Sequence, residues 1–114
     1  MMQSIIDIGS NTIRLAIYRI EAGRVELLLK KKQTVGLAAY IKDGVMQPEG
    51  IAQAAAALQD FTAFLQEIGL PLTAAFATAA LRNAVNREEA LAAIKARTGL
   101  AIRVLSGTEE AELG

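Results

Sequence analysis

Three short polar segments of the sequence each follow an apolar run with the pattern of a buried strand. The first, Gly9-Ser10-Asn11, comes soon after Asp7. A glycine without a Cβ, next to hydroxyl and amide groups and the N–H groups of a turn, is a combination that can hold an anion. Because a carboxylate repels a phosphate, Asp7 fits such a site if Mg²⁺ lies between them. The segment predicts a metal-phosphate site, and a solvent-facing hairpin turn is the alternative.

The second segment, residues 78–82, leaves a predicted strand at its carboxyl end, where ligands of α/β sheets tend to bind. Arg82 is the candidate phosphate ligand here, because a guanidinium stays charged and can donate to two oxygens at once. An ordinary surface arginine is the alternative. Asn86 and Glu89 have the spacing of a capping box, which predicts that Asn86 opens the next helix.

The third segment, residues 106–114, also follows a predicted strand and is rich in acidic residues. Glu110 could act as a general base that takes a proton from water attacking a phosphoryl group. The alternative is structural, because acidic side chains are favoured in the first turn of a helix. Ser106 and Glu109 also have capping-box spacing.

Composition limits the chemistry available to this chain of 114 residues. It is 53% apolar, with 12 basic and 12 acidic residues, which is typical of one packed domain and gives no net attraction for nucleic acid. The sequence has no cysteine and no histidine, which excludes thiolate and imidazole chemistry and leaves carboxylates as general bases. No long apolar run or signal pattern occurs, so we expect no membrane association and a cytoplasmic location.

The three segments require a particular order of elements. The spacing of apolar residues predicts a three-stranded antiparallel meander over residues 3–8, 12–20 and 25–35, and a long helix over residues 48–68. A parallel strand over residues 73–77, a second helix over residues 86–99 and a last strand over residues 101–105 are predicted to follow. Residues 36–44 are predicted to be irregular, with a turn at Asp43-Gly44. Lys30, Lys31 and Lys32 alternate between strand faces, so the pattern predicts a solvated edge and not a polyanion-binding patch.

Taken together, the motifs resemble the amino-terminal part of the exopolyphosphatase and guanosine pentaphosphate phosphohydrolase family. The motifs are residues 6–12 with Arg14, residues 78–82 with Asn86, and residues 106–111, and they occur in family order. The resemblance implies a ribonuclease-H-like, actin-type ATPase domain of α/β class, with a mixed sheet in which the meander is followed by α-β-α-β units. It also implies Mg²⁺-dependent hydrolysis of terminal phosphoryl groups of polyphosphate, or of the 5′ terminal phosphate of the stringent-response nucleotide pppGpp.

The resemblance assigns a role to each candidate residue. Asp7 would orient the metal, and Glu110 would activate the water. The phosphate ligands would be Gly9, Ser10, Asn11, Thr78 and Arg82.

Members of this family continue into a second phosphate loop, of the form Asp-x-Gly-Gly-Gly-Ser, which this sequence lacks. We therefore expect residues 1–114 to be the amino-terminal domain of a longer two-domain phosphatase, which we call the parent enzyme. This domain should be inactive or nearly so without the second half. The parent enzyme is expected to be a homodimer. An actin-like nucleotide-binding or sugar-kinase-type domain is the alternative, and it requires neither Arg82 nor Glu110. A noncatalytic interaction domain is a third possibility.

Overall fold

A mixed sheet of five strands organises the described part of the chain, which comprises residues 1–106 and 108 of the computed structural model. The strand order is β3-β2-β1-β6-β7, with β1, β2 and β3 antiparallel and with β6 and β7 parallel to β1. Strands β4 and β5 form a separate hairpin. The strands are β1 (Met2–Ile8), β2 (Thr12–Glu21), β3 (Arg24–Thr34), β4 (Ile41–Lys42), β5 (Val45–Met46), β6 (Ala74–Ala77) and β7 (Arg103–Val104). The predicted α/β class, with a meander followed by α-β-α-β units, is confirmed.

Helix α1 (Pro48–Ile68) has the predicted bounds. Its proline lies in the first turn, where the missing N–H costs nothing. Gly69 ends the helix with a positive φ of 75° and donates its N–H to the carbonyls of the last turn. One stripe of the helix is buried against the sheet, as the three- and four-residue spacing predicts. Its buried residues are Gly50, Ile51, Ala54, Ala55, Ala57, Leu58, Phe61 and Leu65.

The third strand departs from the sequence pattern, in which the alternation of Val25, Leu27 and Leu29 predicts one apolar face. A bulge between Ile17 and Tyr18 breaks the alternation of β3, so that Leu29 pairs with Ile17 whereas Leu27 pairs with Tyr18. Because Ile17 is buried on the α1 side, Leu27 lies on the other face and is 50% exposed. A period-two pattern over residues 25–29 therefore does not describe one buried stripe.

Residues 36–47 are more regular than predicted. A 3₁₀ helix (Leu37–Tyr40) leads into the β4–β5 hairpin. The turn predicted at Asp43-Gly44 is confirmed, with φ of 52° and 78° at its two residues, as a two-residue hairpin of the I′ type requires. These elements are too short to give a periodic signal, and they are held by contacts from elsewhere in the chain.

Two further helices, α2 (Ala79–Arg82) and α3 (Arg87–Thr98), follow β6. Asn86 is the N-cap residue of α3, so the prediction that it opens this helix is confirmed. Its side chain accepts no helical N–H, so the predicted capping box is wrong. Its Oδ1 accepts from the Met46 N–H at 2.8 Å and its Nδ2 donates to the Met46 carbonyl at 3.0 Å. The Val85 N–H adds a third bond, to the Gly44 carbonyl at 2.7 Å. Asn86 thus ties the β4–β5 hairpin to the α2–α3 loop.

We expect Asn86→Asp and Asn86→Ala each to destabilise the fold by about 2 kcal/mol, because neither side chain can donate to the Met46 carbonyl. Asp is as good a helix cap as Asn. Urea unfolding, with the exposed Asn83→Ala as the control, measures the effect. An Asn86→Asp midpoint equal to that of the unsubstituted chain would restore the capping interpretation.

The helices of the described residues include none that is both long enough and apolar enough to cross a bilayer.

Candidate functional site

The carboxyl ends of β1, β6 and β7 meet at one edge of the sheet. Ile8 pairs with Ala77, and Ala77 pairs with Val104. Neighbouring strands lie about 4.8 Å apart, so the residues that follow these ends, Gly9, Thr78 and Ser106, lie along roughly 10 Å of that edge. The first two polar segments and the start of the third therefore converge. Glu110, like Glu109, lies outside the described residues.

The carbonyl groups of the loop after β1 are hydrogen-bonded to the segment that follows β3. The Asn11 carbonyl accepts from the N–H groups of Val35 at 3.0 Å and Gly36 at 2.8 Å, and the Ser10 carbonyl accepts from Ala38 at 2.9 Å. In the described residues no acceptor is hydrogen-bonded to the N–H groups of Ser10 and Asn11. The loop thus offers two backbone donors, a hydroxyl and an amide at the sheet edge, which is a suitable arrangement for an anion.

Gly9 is required by a close approach and not by an unusual backbone angle. Its φ is not positive. Its N–H donates to the Thr12 carbonyl at 3.0 Å, and a Cβ added at Gly9 would lie 2.9 Å from that same oxygen. The lack of a Cβ at Gly9 is therefore what the loop requires, and the role of Gly9 at a phosphate stays a prediction. A side chain here would push the two ends of the loop apart.

Asp7 is half-buried in β1, two residues before Gly9, and pairs in register with Arg14 of β2. In the described residues no three acidic, histidine or cysteine side chains cluster to form a metal cage. Mg²⁺ characteristically binds one or two carboxylates and fills its remaining positions with water and substrate phosphates. A single carboxylate beside a loop of anion-binding donors is consistent with this coordination of Mg²⁺, so Asp7 remains the candidate metal ligand.

Thr78 and Arg82 occupy the next strand end. The Thr78 hydroxyl is buried and lies 3.4 Å from the Ile8 carbonyl, so it joins the two strand ends. Arg82 is on the single turn of α2, and its Nη1 donates to the Leu105 carbonyl at 3.2 Å. This bond holds the guanidinium beside the end of β7. Arg82 therefore lies along the same edge of the sheet as the Gly9–Asn11 loop, as the phosphate-binding hypothesis requires.

An open cleft of about 380 Å³ lies next to Arg82. Arg87 also lines it and donates from Nη1 to the Arg82 carbonyl at 3.2 Å. The sequence argument did not single out Arg87. Its position at the first residue of α3, directly after Asn86, was the only signal that could have found it.

The description "Ppx/GppA phosphatase family" belongs to the family model that matches residues 16–114. The chain belongs to this family. The resemblance carried by the three motifs is thus confirmed.

Relatives of this Ppx/GppA chain agree in sequence and in fold. An uncharacterized protein of Streptomyces coelicolor is 35% identical over 114 residues, which are 99% of this chain and 34% of that protein. The crystal structure of an exopolyphosphatase from Cytophaga hutchinsonii is 31% identical, with a TM-score of 0.88, over 99% of this chain and 36% of that one. The Aquifex aeolicus Ppx/GppA family member is 30% identical, with a TM-score of 0.86, over 96% and 36%. This chain therefore spans about a third of the length of these relatives.

Proposed function

We propose that the protein containing this Ppx/GppA chain hydrolyses terminal phosphoryl groups of inorganic polyphosphate, or the 5′ terminal phosphate of pppGpp. The observation that carries the proposal is the convergence of the Gly9–Asn11 loop, Thr78 and Arg82 at one edge of the sheet. Family membership and the likeness to an exopolyphosphatase support phosphatase chemistry. This chain spans about a third of the length of its relatives, so the proposed activity is that of the full-length protein.

In this proposal, different residues bind the phosphates, hold the metal and activate the water for phosphoryl transfer. Little covalent work is needed in such a transfer, and catalysis comes from positioning and charge stabilisation. The N–H groups of Ser10 and Asn11 and the guanidinium of Arg82 bind phosphate oxygens. Asp7 holds Mg²⁺, which when bound supplies positive charge to the phosphates. Glu110 removes a proton from the attacking water in this proposal.

The parent enzyme acts, in this proposal, in the cytoplasm and as a homodimer. The lack of cysteine is compatible with a reducing compartment.

Removal of Mg²⁺ tests the proposal directly. The full-length protein should release phosphate from polyphosphate or pppGpp. EDTA should lower the rate at least about 100-fold, because without the cation the Asp7 carboxylate repels the phosphates and their charge is not neutralised. Excess Mg²⁺ should restore the rate. Residues 1–114 alone should show no more than residual activity.

ATP is the control substrate for the Mg²⁺ experiment. An actin-like or sugar-kinase-type domain would bind or turn over ATP and leave polyphosphate and pppGpp intact. Release of phosphate from ATP alone, or from none of the three, contradicts the proposed function.

A further inference from the structure

The Gly9–Asn11 loop and the helix that carries Arg82 are joined by one segment, residues 36–46, which we call the bridge segment. It folds as a 3₁₀ helix followed by the β4–β5 hairpin. At its start, the N–H groups of Gly36 and Ala38 donate to carbonyls of the loop at 2.8 and 2.9 Å. The bridge segment is therefore fastened at this end to the backbone that we propose to bind phosphate.

The other end of the bridge segment is fastened to the residues that follow α2. The Asn86 side chain accepts from the Met46 N–H at 2.8 Å and donates to the Met46 carbonyl at 3.0 Å. Beside this pair of bonds, the Val85 N–H donates to the Gly44 carbonyl at 2.7 Å. Arg82, the candidate phosphate ligand, is the last residue of α2. Asn86 therefore joins the bridge segment to the backbone that carries Arg82.

The bridge segment is also packed against α2. Leu37 near its start, Met46 at its end and Leu81 of α2 are each no more than 2% exposed, and they line one small apolar cavity. The Gln47 N–H closes the hairpin by donating to the Tyr40 carbonyl at 2.9 Å. Because close-packed groups transmit a displacement to their neighbours, the positions of the loop and of α2 depend on each other.

The pairing of the sheet fixes the strand ends, and the phosphate-binding groups lie beyond those ends. Ile8 and Ala77 form the last pair of β1 with β6, and the loop and α2 both follow it. Phosphoryl transfer depends on donors held at a fixed separation around the reacting group. We infer that Asn86 is a positioning residue, which acts through the bridge segment to fix the separation between the Gly9–Asn11 loop and Arg82. This inference rests on the proposed function and adds to it a residue that acts on the site through other residues.

Kinetics of the full-length protein distinguish a positioning residue from a purely structural one. Asn86→Asp should lower kcat about tenfold and leave KM within about twofold, because slightly displaced donors still bind phosphate but stabilise the transition state poorly. Ser4→Ala is the matched control. The buried Ser4 hydroxyl donates to the Pro71 carbonyl and so joins two distant segments near the amino end of β1. Loss of this bond should lower the urea midpoint, as Asn86→Asp does, with kcat unchanged.

A double substitution shows whether Asn86 acts through Arg82. In Arg82→Lys the planar fork is already lost, so adding Asn86→Asp should lower kcat by no more than about twofold further. Gly44→Ala disturbs the same contact from the hairpin side, because it strains a φ of 78° and puts a Cβ 3.1 Å from the Val85 Cγ2. It should lower kcat about threefold, and it takes the place of Asn86→Asp if that variant does not fold.

Hydrogen exchange measures the coupling independently of activity. In the full-length protein, the amides of Gly36 and Ala38 should exchange about tenfold faster in Asn86→Asp than in Ser4→Ala. The reason is that Asn86→Asp releases the far end of the bridge segment, whereas Ser4→Ala leaves both ends fastened.

The outcomes separate the inference from the proposed function. An unchanged kcat in Asn86→Asp, or an undiminished loss of kcat when it is added to Arg82→Lys, overturns the inference while the proposed function stands. If the unsubstituted enzyme hydrolyses neither polyphosphate nor pppGpp, the proposed function fails. Hydrogen exchange then decides whether Asn86 holds the loop through the bridge segment, and equal exchange rates in Asn86→Asp and Ser4→Ala overturn the inference.

Discussion

Gly9→Ala is expected to lower kcat/KM of the full-length enzyme at least about 100-fold while leaving the chain folded. The added Cβ would lie 2.9 Å from the Thr12 carbonyl, which belongs to the backbone and already accepts the Gly9 N–H. The two ends of the loop must therefore separate by several tenths of an ångström. Such a shift misaligns the N–H groups of Ser10 and Asn11, and a displacement of this kind costs far more in transition-state stabilisation than in fold stability.

Gly23→Ala is the matched control for Gly9→Ala. Gly23 also lies in a hairpin turn, between β2 and β3, with φ of 76° and no atom within 4 Å of an added Cβ. The substitution strains the backbone by about 1 kcal/mol without approaching the site. Circular dichroism and urea unfolding would establish that both variants fold, and phosphate release would compare them. Equal kcat/KM in the two variants would remove the loop from the catalytic site.

Arg82→Lys should lower kcat/KM about 100-fold or more, mainly through kcat. Lysine keeps the positive charge but loses the planar fork that holds two phosphate oxygens. It also lacks the Nη1 group that bonds to the Leu105 carbonyl at 3.2 Å and orients the side chain along the strand ends. The geometry of the donors, and not the charge alone, is therefore what the substitution removes.

The control for Arg82→Lys is Arg97→Lys, in the last turn of α3, where the side chain is exposed. This variant should retain full activity. Steady-state kinetics on polyphosphate and pppGpp, with urea unfolding to compare stabilities, measure the two effects separately. An Arg82→Lys enzyme with an unchanged kcat would show that this side chain makes no contact with the transferred group.

Much of the fold could be predicted because its signals are local. Pro48 and Gly69 mark the ends of α1 through backbone properties of single residues, and the apolar stripe between them repeats at the period of a helix. The turn at Asp43-Gly44 follows from the tolerance of both residues for positive φ. The order of these elements predicted a parallel return strand, and β6 does lie parallel to β1.

The candidate site was predictable in its composition but less so in its arrangement. The Gly9–Asn11 loop, Thr78 and Arg82 each follow the end of a strand, and for this reason their convergence could be expected from the sequence. The backbone bonds from Val35, Gly36 and Ala38 that hold the loop carbonyls could not be expected, because they join segments of unremarkable sequence. The roles of Asp7, Gly9, Ser10, Asn11, Thr78, Arg82 and Glu110 in catalysis stay predictions.

The sequence by itself determined the family, the long strands and the two long helices, and it named the residues that we propose to bind phosphate, because periodicity, turn chemistry and ordered motifs are properties of neighbouring residues. Only the tertiary structure decided that Asn86 bonds to Met46, 40 residues away, and not to its own helix. Only the pairing of β2 with β3 brought Arg14 to Lys30 and Lys32. Contacts between distant segments depend on register and on bulges, and a one-residue change in register exchanges the faces of a strand.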